Sequence, residues 1–212
     1  MEGIVARRVI PSDNSCLFNA VGYVMDHDKN KAPELRQVIA ATVVSDPIKY
    51  SKAFLGKPKE EYCSWILDSE KWGVGASSTP IVGNLLIYCA DFYLIFCGEG
   101  AIELSILADY YGREIAAYDI QTIRCDLYGQ EKKYLERVML IYDGLHYDAL
   151  ADYWAVEGLA LNLVKEQHRK RTFTNTARFT LRCGVCQIRV VGQKEAMEHA
   201  QATGHVNFQE YR

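Results

Sequence analysis

Cys16 heads the helix-forming run Cys16-Leu17-Phe18-Asn19-Ala20-Val21, directly after the polar stretch Ser12-Asp13-Asn14-Ser15. A thiol at a helix start lies beside unpaired backbone N–H groups and the positive end of the helix dipole, and both favour thiolate over thiol. Free cysteine ionises near about 8.5, whereas reactive cysteines at helix starts or beside histidine reach roughly 3.5 to 7.5. Such a nucleophile needs a base. Of His27, His146 and His168, only His146 follows an apolar strand and a tight Asp143-Gly144 turn. Asp148, two residues further along a strand, projects from the same face as His146. It can accept a hydrogen bond from one imidazole nitrogen while the other faces the thiol. The set suffices for nucleophilic hydrolysis without a cofactor. Taken singly, each residue also fits a plain packing role, since a cysteine at a helix start is more often a small buried side chain.

A second set lies near the C-terminus. Cys183-x2-Cys186-x12-His199-x5-His205 has the ligand types and spacings of a tetrahedral Cys2His2 site, which points to a structural Zn2+. Leu181 to Val191 suits a hairpin carrying both thiolates, Lys194 to Gln201 suits a helix presenting His199, and Val190 and Ala196 take small-core positions. A module this small draws about 10 to 16 kcal/mol of its folding energy from zinc. Its helix carries Glu195, Glu198 and Lys194, whereas groove-reading helices need donors for bases and phosphates and usually act in tandem. The finger is therefore expected to bind protein rather than nucleic acid.

The elements that must position these residues follow from periodicity. Ile4 to Ile10 reads as a short strand stopped by Pro11, and Ser12 or Asp13 can cap a helix over Ser15 to Met25 with Leu17, Ala20, Val21 and Val24 on one stripe. Pro33 opens a second helix, with Leu35, Val38, Ile39 and Thr42 on one face, that Pro47 ends. Glu60 to Leu67 is a third, and Ala101 to Tyr111 is a buried helix ended by Gly112. Glu114 to Ile120, Arg137 to Tyr142 and Tyr147 to Leu150 are strands, so helices come first and a mainly antiparallel sheet later, an α+β arrangement. Val156 to Arg171 suits an amphipathic helix whose basic end, His168-Arg169-Lys170-Arg171, reads as a solvated helix terminus.

The chain of 212 residues has room for one full domain and a small appendage. A net charge of -3 gives no footprint for nucleic acid. Met1 to Pro11 lacks the features of a secretory signal, so a cytoplasmic, and also nuclear, location is expected. In a reducing compartment the seven cysteines are thiols, metal ligands or nucleophiles rather than disulfides.

The run Pro11-Ser12-Asp13-Asn14-Ser15-Cys16-Leu17-Phe18-Asn19-Ala20 resembles the D-N-S/G-C-L-F signature of ovarian-tumour (OTU) deubiquitinases, and Gly144-Leu145-His146-Tyr147-Asp148 resembles their histidine motif. Between them Tyr62, Trp65, Trp72, Gly73 and Gly100-Ala101-Ile102-Glu103-Leu104 are similar to the family's intervening segment, in the same order. The resemblance implies a papain-like cysteine-protease fold and hydrolysis of isopeptide bonds to ubiquitin, with ubiquitin and polyubiquitinated proteins as partners. It assigns Cys16 as nucleophile, His146 as general base, Asp148 as the acid that orients it, and Asp13 to the loop that shapes the oxyanion hole. The finger ending Thr203-Gly204-His205-Val206 resembles that of the subfamily working with an AAA segregase. That subfamily often has an N-terminal ubiquitin-like domain to dock on the segregase, and this sequence begins at the catalytic segment, which argues against the link.

The expected division is a catalytic domain over 1–151, a helical linker over 152–176 and a small ββα zinc finger over 177–212. The family's Trp-Gly-Gly-Ala-Ile-Glu-Leu run is interrupted after Gly73 and resumes at Gly100. The apolar insertion Val74 to Glu99 is read as translated intron sequence, because valine codons begin GT and a glutamate codon can end AG. Its Ile81 to Cys97 stretch, with Asp91 inside it, falls short of the roughly 20 residues of a membrane span. Two other functions compete with the active enzyme: a ubiquitin-binding pseudoenzyme impaired by the insertion, and a zinc-finger nucleic-acid module.

Overall fold

The structure, a computed structural model, describes residues 4–70, 100–152, 157–175, 178–205 and 208–210. The insertion at 74–99, with Trp72 and Gly73, lies outside the described residues.

Strand β1 (Val5–Arg8) enters a loop at Pro11, and the loop delivers helix α1 (Cys16–Asp26). The expected cap differs in detail. The helix starts after Ser15, which makes no capping bond, and the Asp13 carboxylate instead accepts the Ser15 amide at 2.8 Å, tightening the turn ahead of the helix. Helix α1 is buried over nearly its whole surface, from Cys16 to Gly22 and at Met25. Helix α2 (Ala32–Ser45) follows, with Pro33 in its first turn, where a missing N–H costs nothing. Its buried face is Ala32, Leu35, Arg36, Ile39, Ala40 and Val43. That face is rotated from the expected stripe, because Arg36 turns inward to serve carbonyl groups. A short helix α3 (Lys52–Leu55), which the sequence did not announce, precedes α4 (Lys59–Leu67). Helix α5 (Ala101–Tyr111) ends at Gly112, which has φ 63°.

Strands β2 (Glu114–Asp119), β3 (Cys125–Tyr128), β4 (Arg137–Tyr142) and β5 (Tyr147–Asp152) join β1 in a sheet of order β1-β5-β4-β2-β3. Every pairing is antiparallel except β2 with β4. The period-two alternation of strand side chains divides two cores. Ile115, Ala117, Leu140 and Ala149 join Leu17, Phe18, Leu35, Ile66 and Leu104 from the helices on one face. Ala116, Tyr118, Met139, Ile141 and Leu150 face the other way, onto Ala160 and Val164 of α6 (Glu157–Arg169). The stretch expected as a linker thus contributes a helix to the second face of the sheet. His168 in its last turn bonds the Ile120 carbonyl at 2.8 Å and stacks on Phe173, so it is a packed residue, whereas Arg169, Lys170 and Arg171 are exposed as expected.

The C-terminal unit has β6 (Thr180–Cys183) and β7 (Arg189–Val191) as a hairpin, α7 (Gly192–Thr203), and a third strand β8 (Phe208–Glu210) on the far side of β6. Val190 and Ala196 are buried in it. Among the described residues no helix is long and apolar enough to cross a membrane.

Candidate active site and metal centre

Cys16 is the first residue of α1 and is 1% exposed. Its amide reaches back to the Asp13 carbonyl at a long 3.4 Å. On the opposite wall the β4–β5 turn is built by Asp143, whose Oδ1 accepts the amides of Leu145 at 3.1 Å and His146 at 2.9 Å. His146 therefore leaves the turn in a fixed direction. Its Nε2 lies 3.0 Å from Oδ1 of Asp148 on β5, and the imidazole also hydrogen-bonds Cys16. The hydrogen bond to Asp148, joined by the one to Cys16, pushes the imidazole pKa from 6.5 up to about 10.

Asp148 is 1% exposed, which opposes its charge, but hydrogen bonds from His146, the Ile10 amide at 2.7 Å and Arg7 outweigh that burial and hold its carboxyl below the usual range. The Arg7 bond is the shortest, Nε to Oδ2 at 2.6 Å. Of the four residues expected in the site, Cys16, His146 and Asp148 form one hydrogen-bonded series. Asp13 lies in the loop ahead of the thiol and bonds the loop's own amides rather than the imidazole.

A polar cleft of about 520 Å³ meets this series at His146 and is lined by Ser12 to Ser15, Ser69, Glu70, Leu145 and His146. The Asn14 side chain donates to the Glu70 carbonyl at 2.9 Å, tying the cysteine loop to the end of the α4 segment. Beneath the loop, the buried Arg36 donates to the carbonyls of Asn14 (2.7 Å), Ile66 (2.7 Å) and Asp68 (3.1 Å) and to Oγ of Ser15 (3.3 Å). Glu103, which burial pushes up from its usual range, accepts the Tyr62 hydroxyl at 2.5 Å in the same core. Arg7, Arg36 and Asp143 escaped the sequence reading. Of the three only Asp143, in an Asp-Gly turn and three residues before the base, had a local signal.

In the C-terminal unit the ligand atoms of Cys183, Cys186, His199 and His205 all lie within 4.8 Å of one another, and Sγ of Cys186 is 3.4 Å from Nε2 of His199. Metal–ligand distances of about 2.0 to 2.3 Å are compatible with that clustering. Nδ1 of His205 is buried without a hydrogen-bond partner among the described residues. Burial opposes the Cys183 thiolate, but the amides of Cys186 and Val185 outweigh it and lower its pKa. Two cysteine sulfurs and two imidazoles held this closely can hold a metal ion.

A helix-start thiol, an imidazole and a buried carboxylate in series, set where a mixed sheet meets a helical layer, define a thiol hydrolase. The chain is 64% identical to the "OVARIAN TUMOR DOMAIN-containing deubiquitinating enzyme 2" of Arabidopsis thaliana, with all of both chains covered. It is 44% identical to "Ubiquitin thioesterase OTU1" of Danio rerio, covering 98% of this chain and 66% of that one. A solved ovarian-tumour domain in complex with ubiquitin superposes with a TM-score of 0.65 at 24% identity, over 82% of this chain and 92% of that one, a likeness of fold. Residues 177–211 match the family described as the C-terminal C2H2-type zinc finger of ubiquitin thioesterase OTU1. The chain belongs to the OTU family of deubiquitinating enzymes.

Proposed function

We propose that this chain is a ubiquitin thioesterase that hydrolyses the isopeptide bonds of polyubiquitin, with Cys16 as nucleophile, His146 as acid and base, Asp148 as the group that orients His146, and a structural zinc in the finger. The observation that carries the reading is His146 hydrogen-bonded to Cys16 on one side and to Asp148 at 3.0 Å on the other.

The Cys16 sulfur attacks the isopeptide carbonyl carbon, and the carbonyl π pair moves onto oxygen. The Asp13–Cys16 loop lies where that oxyanion forms, with the Cys16 amide only weakly engaged at 3.4 Å. The carbon–nitrogen bond breaks as the imidazolium of His146 gives its proton to the leaving lysine amine. Water then attacks the thioester, His146 takes its proton, and the thiolate departs. Asp13 serves by fixing the Ser15 amide, which keeps the loop turned toward the cleft. The finger supplies no step. Its zinc would be held by Cys183, Cys186, His199 and His205, closing the small fold, and its acidic helix favours a protein partner.

The test is a ubiquitin probe with a cysteine-reactive warhead, applied to the full chain and to Cys16→Ala. Labelling of the first alone, with cleavage of polyubiquitin, supports the reading. An unlabelled native chain, or turnover in the variant, overturns it.

A further inference from the structure

Arg7 lies on edge strand β1 directly opposite Leu150, so Asp148, two residues earlier on the same face of β5, is its diagonal neighbour. Long side chains bridge that separation. The Arg7 guanidinium meets two acids. Nε donates to Oδ2 of Asp148 at 2.6 Å, and a terminal nitrogen lies 3.8 Å from Oδ2 of Asp143. Both acids bear on His146. Asp148 takes its imidazole, and Asp143 takes its backbone amide at 2.9 Å. Oδ1 of Asp148 is shared between the Ile10 amide and His146, leaving Oδ2 to Arg7. A carboxylate anchored through both oxygens has one orientation open to it, and the imidazole inherits that orientation.

Resting on the reading of the site given above, we propose that Arg7 is a positioning residue for hydrolysis: it keeps Asp148 ionised and turned so that His146 faces Cys16. The charged and titratable groups around this carboxylate are Arg7 on β1, Asp143 and His146 in the β4–β5 turn, and Cys16 at the head of α1. Without the guanidinium, Asp148 keeps the Ile10 amide and His146 but loses the hydrogen bond and charge of Arg7, so it protonates at higher pH. A protonated Asp148 loses the charge that strengthens its hold on the imidazole N–H and keeps only a weaker, neutral acceptor for it.

The experiment compares kcat and KM of the full chain with those of Arg7→Ala, Arg7→Gln and Arg7→Lys across the acid pH range. Arg8→Ala, at an exposed residue of the same strand, is the control. In Arg7→Ala kcat falls about 10- to 100-fold with KM unchanged, and the acid limb of the profile moves to higher pH. Arg7→Lys, which retains the charge, restores the acid limb. Arg7→Gln, which retains a donor without charge, recovers kcat only above the displaced limb. If Arg7→Ala fails to fold by circular dichroism, these two variants carry the test. A profile equal to that of Arg8→Ala, or a change confined to KM, overturns the proposal. Independently of turnover, the ring N–H resonance of His146 is sharp in the native chain and broadens in Arg7→Gln. No change there also overturns the role of Arg7. A native chain that neither turns over nor labels overturns the reading of the site instead.

Discussion

The backbone amide of Thr174 donates to the carbonyl of Asp143 at 2.7 Å, so the chain leaving α6 for the finger lies against the turn that carries His146. The same turn holds Gly144 at φ 102°, and a Cβ built there would stand 2.4 Å from the Thr174 carbonyl oxygen. Both the positive φ and the close approach require glycine.

Gly144→Ala is therefore expected to lose about 1 to 3 kcal/mol and to lower turnover, because either the turn or the Thr174 segment must move. Thermal melting and kcat measured on the same preparation check this. An unchanged melting temperature would contradict it.

His146 supplies the pH prediction. Its folded pKa, about 10, is raised above the ordinary 6.5, so its protonated form stabilises the fold. That contribution is complete below 6.5 and is lost as pH rises through about 10. The imidazolium needed by the leaving amine persists over the same window, so the alkaline limb of activity should appear only as pH approaches about 10. In Asp148→Asn the first cause of the shift is gone. The alkaline limb should then move toward neutrality and kcat fall by about 10²- to 10⁴-fold. A pH–rate profile matching the native one would remove Asp148 from the mechanism.

Arg36 is 2% exposed and lies over the Phe18 ring at 4.4 Å while serving the cysteine loop and the end of α4. Arg36→Ala strands several buried carbonyls and should cost about 2 to 4 kcal/mol. Arg36→Lys, whose compact ammonium cannot span the same acceptors, should fall between it and the native chain. Denaturant midpoints decide the order, and equal midpoints for all three proteins would refute the anchoring role.

Cys183→Ser is expected to release zinc and unfold the chain after about Phe179, with the catalytic part melting independently. Elemental analysis and two-dimensional NMR with and without chelator read this out. A finger that stays folded in chelator would exclude metal as its source of stability.

Local chemistry is what the sequence determined by itself. A polar loop before an apolar helical run placed Cys16 at the start of α1, an Asp-Gly turn before a strand placed His146 and Asp148, and the Cys-x2-Cys and His-x5-His spacings brought four ligands together. These signals are legible because helix periodicity, turn preference and ligand spacing act over a few residues. The third strand of the finger, the packing of α6 on the second face of the sheet and the parallel pairing of β2 with β4 were decided by which surfaces remained to be covered. Arg7 shows the difference most clearly. In the sequence it is a charge interrupting a strand of β-forming residues, and only the antiparallel register of β1 with β5 brings it to a carboxylate 141 residues away. A buried charge takes its partner from topology, because the cost of leaving it unpaired is settled after the sheet has formed and not by its neighbours along the chain.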